Sequence, residues 1–283
     1  MTIIENKNFQ NERALYGANE VELKNCTFQG EEDGESALKE ARNVSLKDCF
    51  MDLRYPLWHD ENVALERVEM TANCRAALWY STRIAIKDSK LHGIKALREC
   101  SDVEITNTSV ISPEFGWRDR GIVGKNLSVE SEYAFFESSK IRLENFKLKG
   151  KYSFQYVHDL VIESSDLDTK DAFWHTKNVY VKDTTIKGEY LAWYAEDITF
   201  ENCTIIGTQP LCYCKNLKLI NCKMIDCDLS FEYSDVDADV IGKIDSVKNV
   251  KSGRVVADNF GEIIITDDSK ILPEALIEKR RAQ

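Results

Sequence analysis

One interval constrains this chain more than any other property: aliphatic residues recur every 19 positions. Aligned on the first aliphatic residue of each segment, the series runs Thr2, Val21, Val44, Val63, Ile84, Val103, Ile122, Ile141, Leu160, Val179, Ile198, Leu217. Nine of its eleven steps are 19 residues long. The others are 23, beside the acidic insertion at Glu31-Glu32-Asp33-Gly34, and 21, near Asn73-Cys74. A fixed period of this length marks a solenoid, in which each repeat buries its apolar face only against its neighbours. Taking the aligned residue as position zero, position two is Ile4, Leu23, Leu46, Leu65, Ile86 and Ile105 in the early segments, and position seven is Phe9, Phe28, Met51, Met70, Leu91 and Val110. The residues between them are polar or charged, as in Val21-Glu22-Leu23-Lys24. Alternation of period two is strand chemistry, and the helical period of 3.6 is missing.

Position four supplies the bend. It is Asn or Asp in ten of the twelve segments, including Asn25, Asp48, Asn107, Asn126, Asn145, Asp183 and Asn202. These are the non-glycine residues that best tolerate the left-handed backbone. A left-handed residue there turns the chain between two short strands, so positions zero, two, five and seven all point inward. The predicted fold is all-β: a single-stranded right-handed parallel β-helix of 19-residue coils, stacked about 4.8 Å apart. One domain is expected over residues 1–283, with irregular terminal coils at 236–270 and a capping helix at 273–283. That helix would start near Pro273 and end on Lys279-Arg280-Arg281, where the helix dipole favours cations.

The repeating unit Asp197-Ile198-Thr199-Phe200-Glu201-Asn202-Cys203-Thr204-Ile205, followed by aromatic segments such as Tyr190-Leu191-Ala192-Trp193-Tyr194, resembles the pectin-lyase-like right-handed β-helix superfamily, with its Asn-bearing bend. Within it the chain looks closest to an uncharacterised bacterial family of unknown function. The resemblance covers about residues 1–235. It implies the fold and, at that level only, carbohydrate chemistry. Some members of that family carry a hydrogenase designation, for which these residues offer no physical support. No pectate lyase or polygalacturonase motif can be carried onto this chain.

A third segment spans positions eleven to sixteen. Position thirteen holds Leu57, Leu78, Leu97, Gly116, Phe135, Phe154 and Phe173; position fourteen holds Trp58, Trp79, Arg98, Trp117, Trp174 and Trp193. Position fifteen holds His59, Tyr80, Glu99, Arg118, Glu137, Tyr156, His175 and Tyr194. As a strand, this segment must turn alternate residues outward. Burying Glu99, Arg118 and Glu137 would be costly even if they were paired. The expectation is therefore that positions twelve and fourteen face in and positions thirteen and fifteen face out. That leaves a large exposed aromatic face, suited to a sugar or to a protein partner.

Within this face Gly116 interrupts the apolar row, leaving a notch flanked by charge. Glu99, Arg118 and Glu137 are the candidate catalytic residues, two carboxylates across an arginine. Trp117, Gly116, Phe135, Tyr156, His175 and Tyr194 are the candidate ligand-binding residues. Two carboxylates two coils apart, about 10 Å, approach the spacing of inverting glycosidases. The same three residues also read as a plain surface ion-pair ladder worth under about 1 kcal/mol per pair.

Nine cysteines invite a metal reading. Four of them, Cys26, Cys49, Cys203 and Cys222, sit at position five, where other coils carry Ser89, Thr108, Ser165 and Thr184. The position selects a small inward side chain, so the thiols read as core packing, with no metal and no cofactor expected. The formal net charge of −11 argues against nucleic acid. The first residues show no export signal, and no apolar run is long enough to span a membrane, so a cytoplasmic location is expected. Two functions remain. One is a carbohydrate-binding or carbohydrate-processing β-helix (a polysaccharide lyase or glycoside hydrolase if catalytic) with an oligosaccharide along the aromatic face. The other is a non-catalytic scaffold that self-associates into a homo-oligomer, or docks a protein, through that face.

Overall fold

The computed structural model describes residues 1–30 and 34–281, so the acidic insertion at Glu31-Glu32-Asp33 and the last two residues lie outside the described residues. The chain is a parallel β-helix of about 14 coils, as the 19-residue period predicts. It divides into two compact units, Met1–Lys147 and Leu148–Gln283.

In the first unit, position zero forms one in-register parallel column: Thr2 on Val21, Val21 on Val44, then Val63, Ile84, Val103 and Ile122. Position seven forms a second column through Phe9, Phe28, Met51, Met70, Leu91, Val110 and Val129. In the second unit the same columns run Leu160, Val179, Ile198, Leu217, Val236 and Leu167, Ile186, Ile205, Met224. Val179, Val181, Thr184 and Ile186 are all buried, so positions zero, two, five and seven share one core. The insertions are absorbed outside these columns, which is why the register survives steps of 21 and 23 residues.

All twelve position-four residues have positive φ, between 49° and 55°. Their side chains stack one coil apart. Asn107 Nδ2 donates to Asp88 Oδ1 at 3.0 Å, Asn126 to Asn107 at 2.8 Å, and Asn145 to Asn126 at 2.7 Å. In the second unit Asn202 donates to Asp183 at 3.0 Å and accepts from Asn221 at 2.8 Å. A left-handed L-residue costs roughly 1–2 kcal/mol, whereas a fully buried aliphatic or phenylalanine side chain contributes roughly 1.5–3 kcal/mol. With several buried side chains per coil, burial wins, and Asn reduces the cost of the corner.

A second left-handed corner lies just before position zero. Asn43, Asn62, Asp102, Asp159, Asn178, Asp197 and Asn216 all have positive φ. Here too amides stack: Asn62 on Asn43 at 2.8 Å, Asn178 on Asp159 at 2.6 Å and Asn216 on Asp197 at 2.7 Å. Sequence reasoning passed over this ladder, although the same Asn/Asp enrichment at a fixed register was its signal.

The third segment corrects the expectation. It is a short strand only in Leu57–Trp58, Leu78–Trp79 and Leu97–Arg98. In the second unit it is a turn with left-handed residues at positions thirteen and fifteen, as at Phe173 (φ 61°) and His175 (φ 55°). In those turns alternating φ breaks the period of two; in both units positions twelve and thirteen point in. Leu57, Leu78, Leu97, Phe135, Phe154 and Phe173 are fully buried. The tryptophans at position fourteen, placed inside by the strand argument, lie half-buried, and all but Trp79 fasten their coil to the next one by an indole hydrogen bond. Trp117 Nε1 donates to the Tyr133 carbonyl at 2.7 Å, Trp174 to Tyr190 at 2.6 Å, and Trp193 to Gln209 at 2.8 Å.

The predicted capping helix is absent over its described part. Leu276–Lys279 is instead a strand paired with Arg254–Ala257. The unpaired edge of the preceding coil offers more backbone hydrogen bonds than a short isolated helix would make for itself. Arg280 fastens this strand by donating to Asp258 at 2.7 Å and to Asp239 at 2.6 Å. The terminal coils depart from the period in both directions: Arg254 pairs with Leu276, an offset of 22 residues. Asp235–Lys248 pairs with Ser252–Ile264 at an offset of 17 residues (Asp235 on Ser252), with an irregularity between Val240 and Lys243.

The corner predicts a mutational contrast. Asn202→Ala should lower unfolding free energy by about 1–2 kcal/mol through left-handed strain and two lost amide bonds. Asn202→Gly, free of the strain, should cost clearly less. Urea melts of both variants measure the difference, and equal losses would mean that the side-chain bonds alone matter.

Candidate functional site

Position fifteen projects outward, as expected: Tyr80, Arg118, Glu137, Tyr156, His175 and Tyr194 are all exposed. In the first unit Glu99, Arg118 and Glu137 occupy this position at φ 51°, 55° and 54°. The structure brings Arg118 and Glu137 together: Arg118 Nε donates to Glu137 Oε2 at 2.7 Å. Both are well exposed, at 51% and 41% of their side-chain surface. Glu99 turns instead to its chain neighbour Arg98, whose Nε lies 3.5 Å away. Arg98 is the better-buried cation. Its guanidinium lies 5.2 Å from the Trp79 ring and 5.0 Å from the Trp117 ring, and Nη1 donates to Glu114 at 3.2 Å.

The notch predicted at Gly116 does not exist. Gly116 and Phe135 are buried, and an added Cβ at Gly116 would stand 2.7 Å from the Phe135 ring. Phenylalanine fills the space that the missing side chain leaves. Gly116 also has φ 73°, so glycine suits the corner as well as the packing. Of the expected ligand-binding residues in this unit, only Trp117 reaches the surface, and its indole N–H is engaged.

The electrostatics of the trio oppose acid–base catalysis. The bound Glu137 carboxylate pushes the Arg118 pKa further up, so the guanidinium keeps its proton. An exposed pair of this kind is screened by water. Strongly shifted carboxyls lie elsewhere, in an inward column directly after the turn. Asp60 Oδ1 accepts the Ala41 N–H at 2.8 Å, and Asp119 Oδ1 accepts the Cys100 N–H at 2.7 Å. Ser138 continues the pattern, its Oγ accepting the Asp119 N–H at 2.9 Å. Burial pushes Asp60 up to about 8, and pushes Asp119 well above the usual carboxylate range, with Glu99 raising it further. Burial thus favours the protonated form of both, and each ties its coil to the one before it.

The cysteines line the core. All nine are free and buried. At position five, Cys203 Sγ donates to the Val181 and Glu201 carbonyls, and Cys222 to those of Phe200 and Ile220. Ser89 makes the same short bond back to the Lys87 carbonyl. Burial pushes the Cys49 thiol up to about 11 and that of Cys214 up to about 12, which suppresses the nucleophilic thiolate. Among the described residues, no three His, Cys, Asp or Glu side chains are grouped to hold a metal ion. Among them, too, no helix is long and apolar enough to cross a membrane.

The second unit holds the most regular feature of the surface. Tyr156, His175, Tyr194 and Tyr213 stack in four consecutive coils. Their ring centroids are 4.9, 4.9 and 4.7 Å apart, with interplanar angles of 8°, 5° and 11°. Three of these were expected from the sequence; Tyr213, at the same register position, completes the row. Tyr156 is 49% and Tyr194 46% exposed. Because each ring covers the face of the next, the row presents ring edges to solvent: phenol hydroxyls and imidazole nitrogens at the coil spacing. Burial, then Glu232, pushes the Tyr213 pKa up to about 12, so its hydroxyl remains a donor. Beside this row Trp174 and Trp193 stack at 5.4 Å with their planes 3° apart.

Two outcomes follow. Arg118→Ala should change the melting temperature little, since the exposed ion pair contributes under about 1 kcal/mol. A large drop would mean that the ladder holds the coils together. The buried carboxyls should make stability depend on pH. Their folded pKa lies above the usual 3.8, so the stabilisation is fully present below pH 4 and is lost as pH rises towards about 8 and beyond. The double variant Asp60→Asn with Asp119→Asn should flatten urea midpoints between pH 5 and pH 9, and an unchanged slope would refute the assignment.

Several solved structures resemble the chain at low identity. One is the A-module of the mannuronan C-5 epimerase AlgE4 of Azotobacter vinelandii: 11% identity, 83% of this chain and 88% of that chain covered, TM-score 0.36. Another is PfbA, a surface adhesin of Streptococcus pneumoniae, at 9% identity, 82% and 72% coverage and a TM-score of 0.38. A third is the catalytic domain of a GH87 α-1,3-glucanase, at 9% identity, 99% and 64% coverage and a TM-score of 0.34. No curated protein matches the chain in sequence. A family model does, over residues 2–277, and the chain belongs to that family, the proteins of unknown function termed DUF3737.

Proposed function

We propose that this protein is a non-catalytic oligosaccharide-binding β-helix, whose ligand lies along the outward row Tyr156, His175, Tyr194 and Tyr213. One observation carries this reading. Four polar aromatic rings from successive coils stack nearly parallel, with centroids 4.7–4.9 Å apart. A repeating array of hydrogen-bonding groups suits a repeating, hydroxyl-bearing chain, and groups fixed before binding lose little entropy on contact. Catalysis is not part of the proposal: Arg118 is bound by Glu137, and the expected cleft at Gly116 is filled. The scaffold alternative rested on an exposed apolar face, and the leucines and phenylalanines that would have made it point into the core.

A glycan array carrying neutral and acidic oligosaccharides tests the proposal, with His175→Ala as the control. The wild-type protein should retain at least one class of glycan, and the variant should lose most of that signal. If no glycan of any class is retained, and light scattering shows a concentration-dependent oligomer instead, the binding reading fails and a self-associating scaffold replaces it.

A further inference from the structure

The chemistry around the row narrows the ligand, given that the row is the binding site proposed above. We infer that it takes an uncharged glycan and reads its hydroxyl groups by hydrogen bonds to ring edges, rather than by stacking sugars on ring faces or by pairing with carboxylates.

Three observations converge. First, the faces are occupied. A sugar ring that packs on an aromatic residue needs a free π-face, and neighbours at 4.7–4.9 Å with planes within 11° of parallel leave none along the row. What remains is a line of hydroxyls and imidazole nitrogens.

Second, the charge has the wrong sign for a uronate polymer. Carboxylates are recognised most strongly by arginine, whose planar fork binds both oxygens. The coils that carry the row, residues 152–233, contain no arginine, and thirteen Asp and Glu stand against seven Lys. Several of those lysines already have partners: Lys170 lies 3.0 Å from Glu189, Lys177 3.4 Å from Glu196, and Lys182 2.9 Å from Glu201. A polyanion would meet net repulsion here, and a neutral chain would not.

Third, the spacing disfavours a peptide. An extended peptide rises about 3.3 Å per residue, so its side chains on one face repeat at about 6.6 Å. It would fall out of step with the row after one or two rungs. A pyranose unit is close to one rung in length, so a linear glycan lying along the stack brings one sugar to each ring.

The test pairs ligand charge with hydroxyl deletion. Isothermal titration of the full chain with cellohexaose, mannohexaose and hexagalacturonate, each at low and high salt, separates the classes. A neutral hexasaccharide should bind with little salt dependence, and hexagalacturonate should bind at least tenfold more weakly. Tyr194→Phe and Tyr213→Phe keep the ring stack and remove only the hydroxyl. Each should weaken neutral-glycan binding about 3- to 10-fold, as loss of one hydrogen bond does. The melting temperature of the free protein should stay unchanged. Tighter, salt-sensitive binding of hexagalacturonate would overturn the neutral-ligand inference while leaving the row as a glycan site. Unaltered binding by both phenylalanine variants would overturn edge recognition. Binding of none of the three probes, joined to a blank array, would refute the site itself.

Discussion

The structure depends on a backbone conformation that most residues avoid. Each coil must turn sharply without a long loop, because a 19-residue period leaves little chain to spare. Left-handed residues make those turns, at position four and again just before position zero. Asn and Asp tolerate this conformation, and their short side chains bond to their counterparts one coil away. The corner and the ladder support each other. A left-handed corner repeated in register aligns the amides, and the aligned amides favour the same corner in the next coil. Once two corners are fixed, the strands between them can only run in parallel and in register, and the apolar columns follow.

This also explains which parts of the molecule were legible in the sequence. Positions zero, two, five and seven were read correctly because the backbone between the corners is extended, and an extended chain alternates its faces strictly. The rule failed one segment later. In the turn that includes Phe173 and His175, left-handed residues alternate with residues of negative φ, and two successive side chains, Ala172 and Phe173, point inward and the next two outward. An alternation argument applied there puts Phe135 outside and Trp117 inside, the reverse of what packing produces. The sequence held a warning: neither parity of that segment was cleanly apolar, as Trp58 and Leu57 stand side by side. Outward placement of position fifteen survived because it rested on the cost of burying Glu99, Arg118 and Glu137, which does not depend on backbone period.

Similar reasoning separates chemistry from architecture. The carboxyls raised furthest above their usual range, Asp60 and Asp119, lie in the core, where Oδ1 of each accepts a main-chain N–H from the coil before it. Ser138 does the same work without charge. Perturbed pKa values mark functional sites only when the group can also be reached, and these cannot. The residues that can be reached, Arg118 and Glu137, neutralise each other. Depth and exposure thus pull in opposite directions: the raised carboxyls are sealed away, and the accessible Arg118 and Glu137 are held by each other.

The row of Tyr156, His175, Tyr194 and Tyr213 escapes this division because its rings do two things at once. Their faces provide cohesion between coils, each ring covering its neighbour. Their edges face outward, Tyr156 and Tyr194 being nearly half exposed. A solenoid surface made of isolated aromatic residues would offer faces but lack order, since an exposed side chain samples several rotamers. Stacking removes that freedom in the unbound protein, so the loss does not have to be met again when a ligand binds. The same contact that stiffens the coils therefore preorganises the edges. A change that deletes a ring should disturb both properties, whereas one that deletes only a hydroxyl should disturb recognition alone.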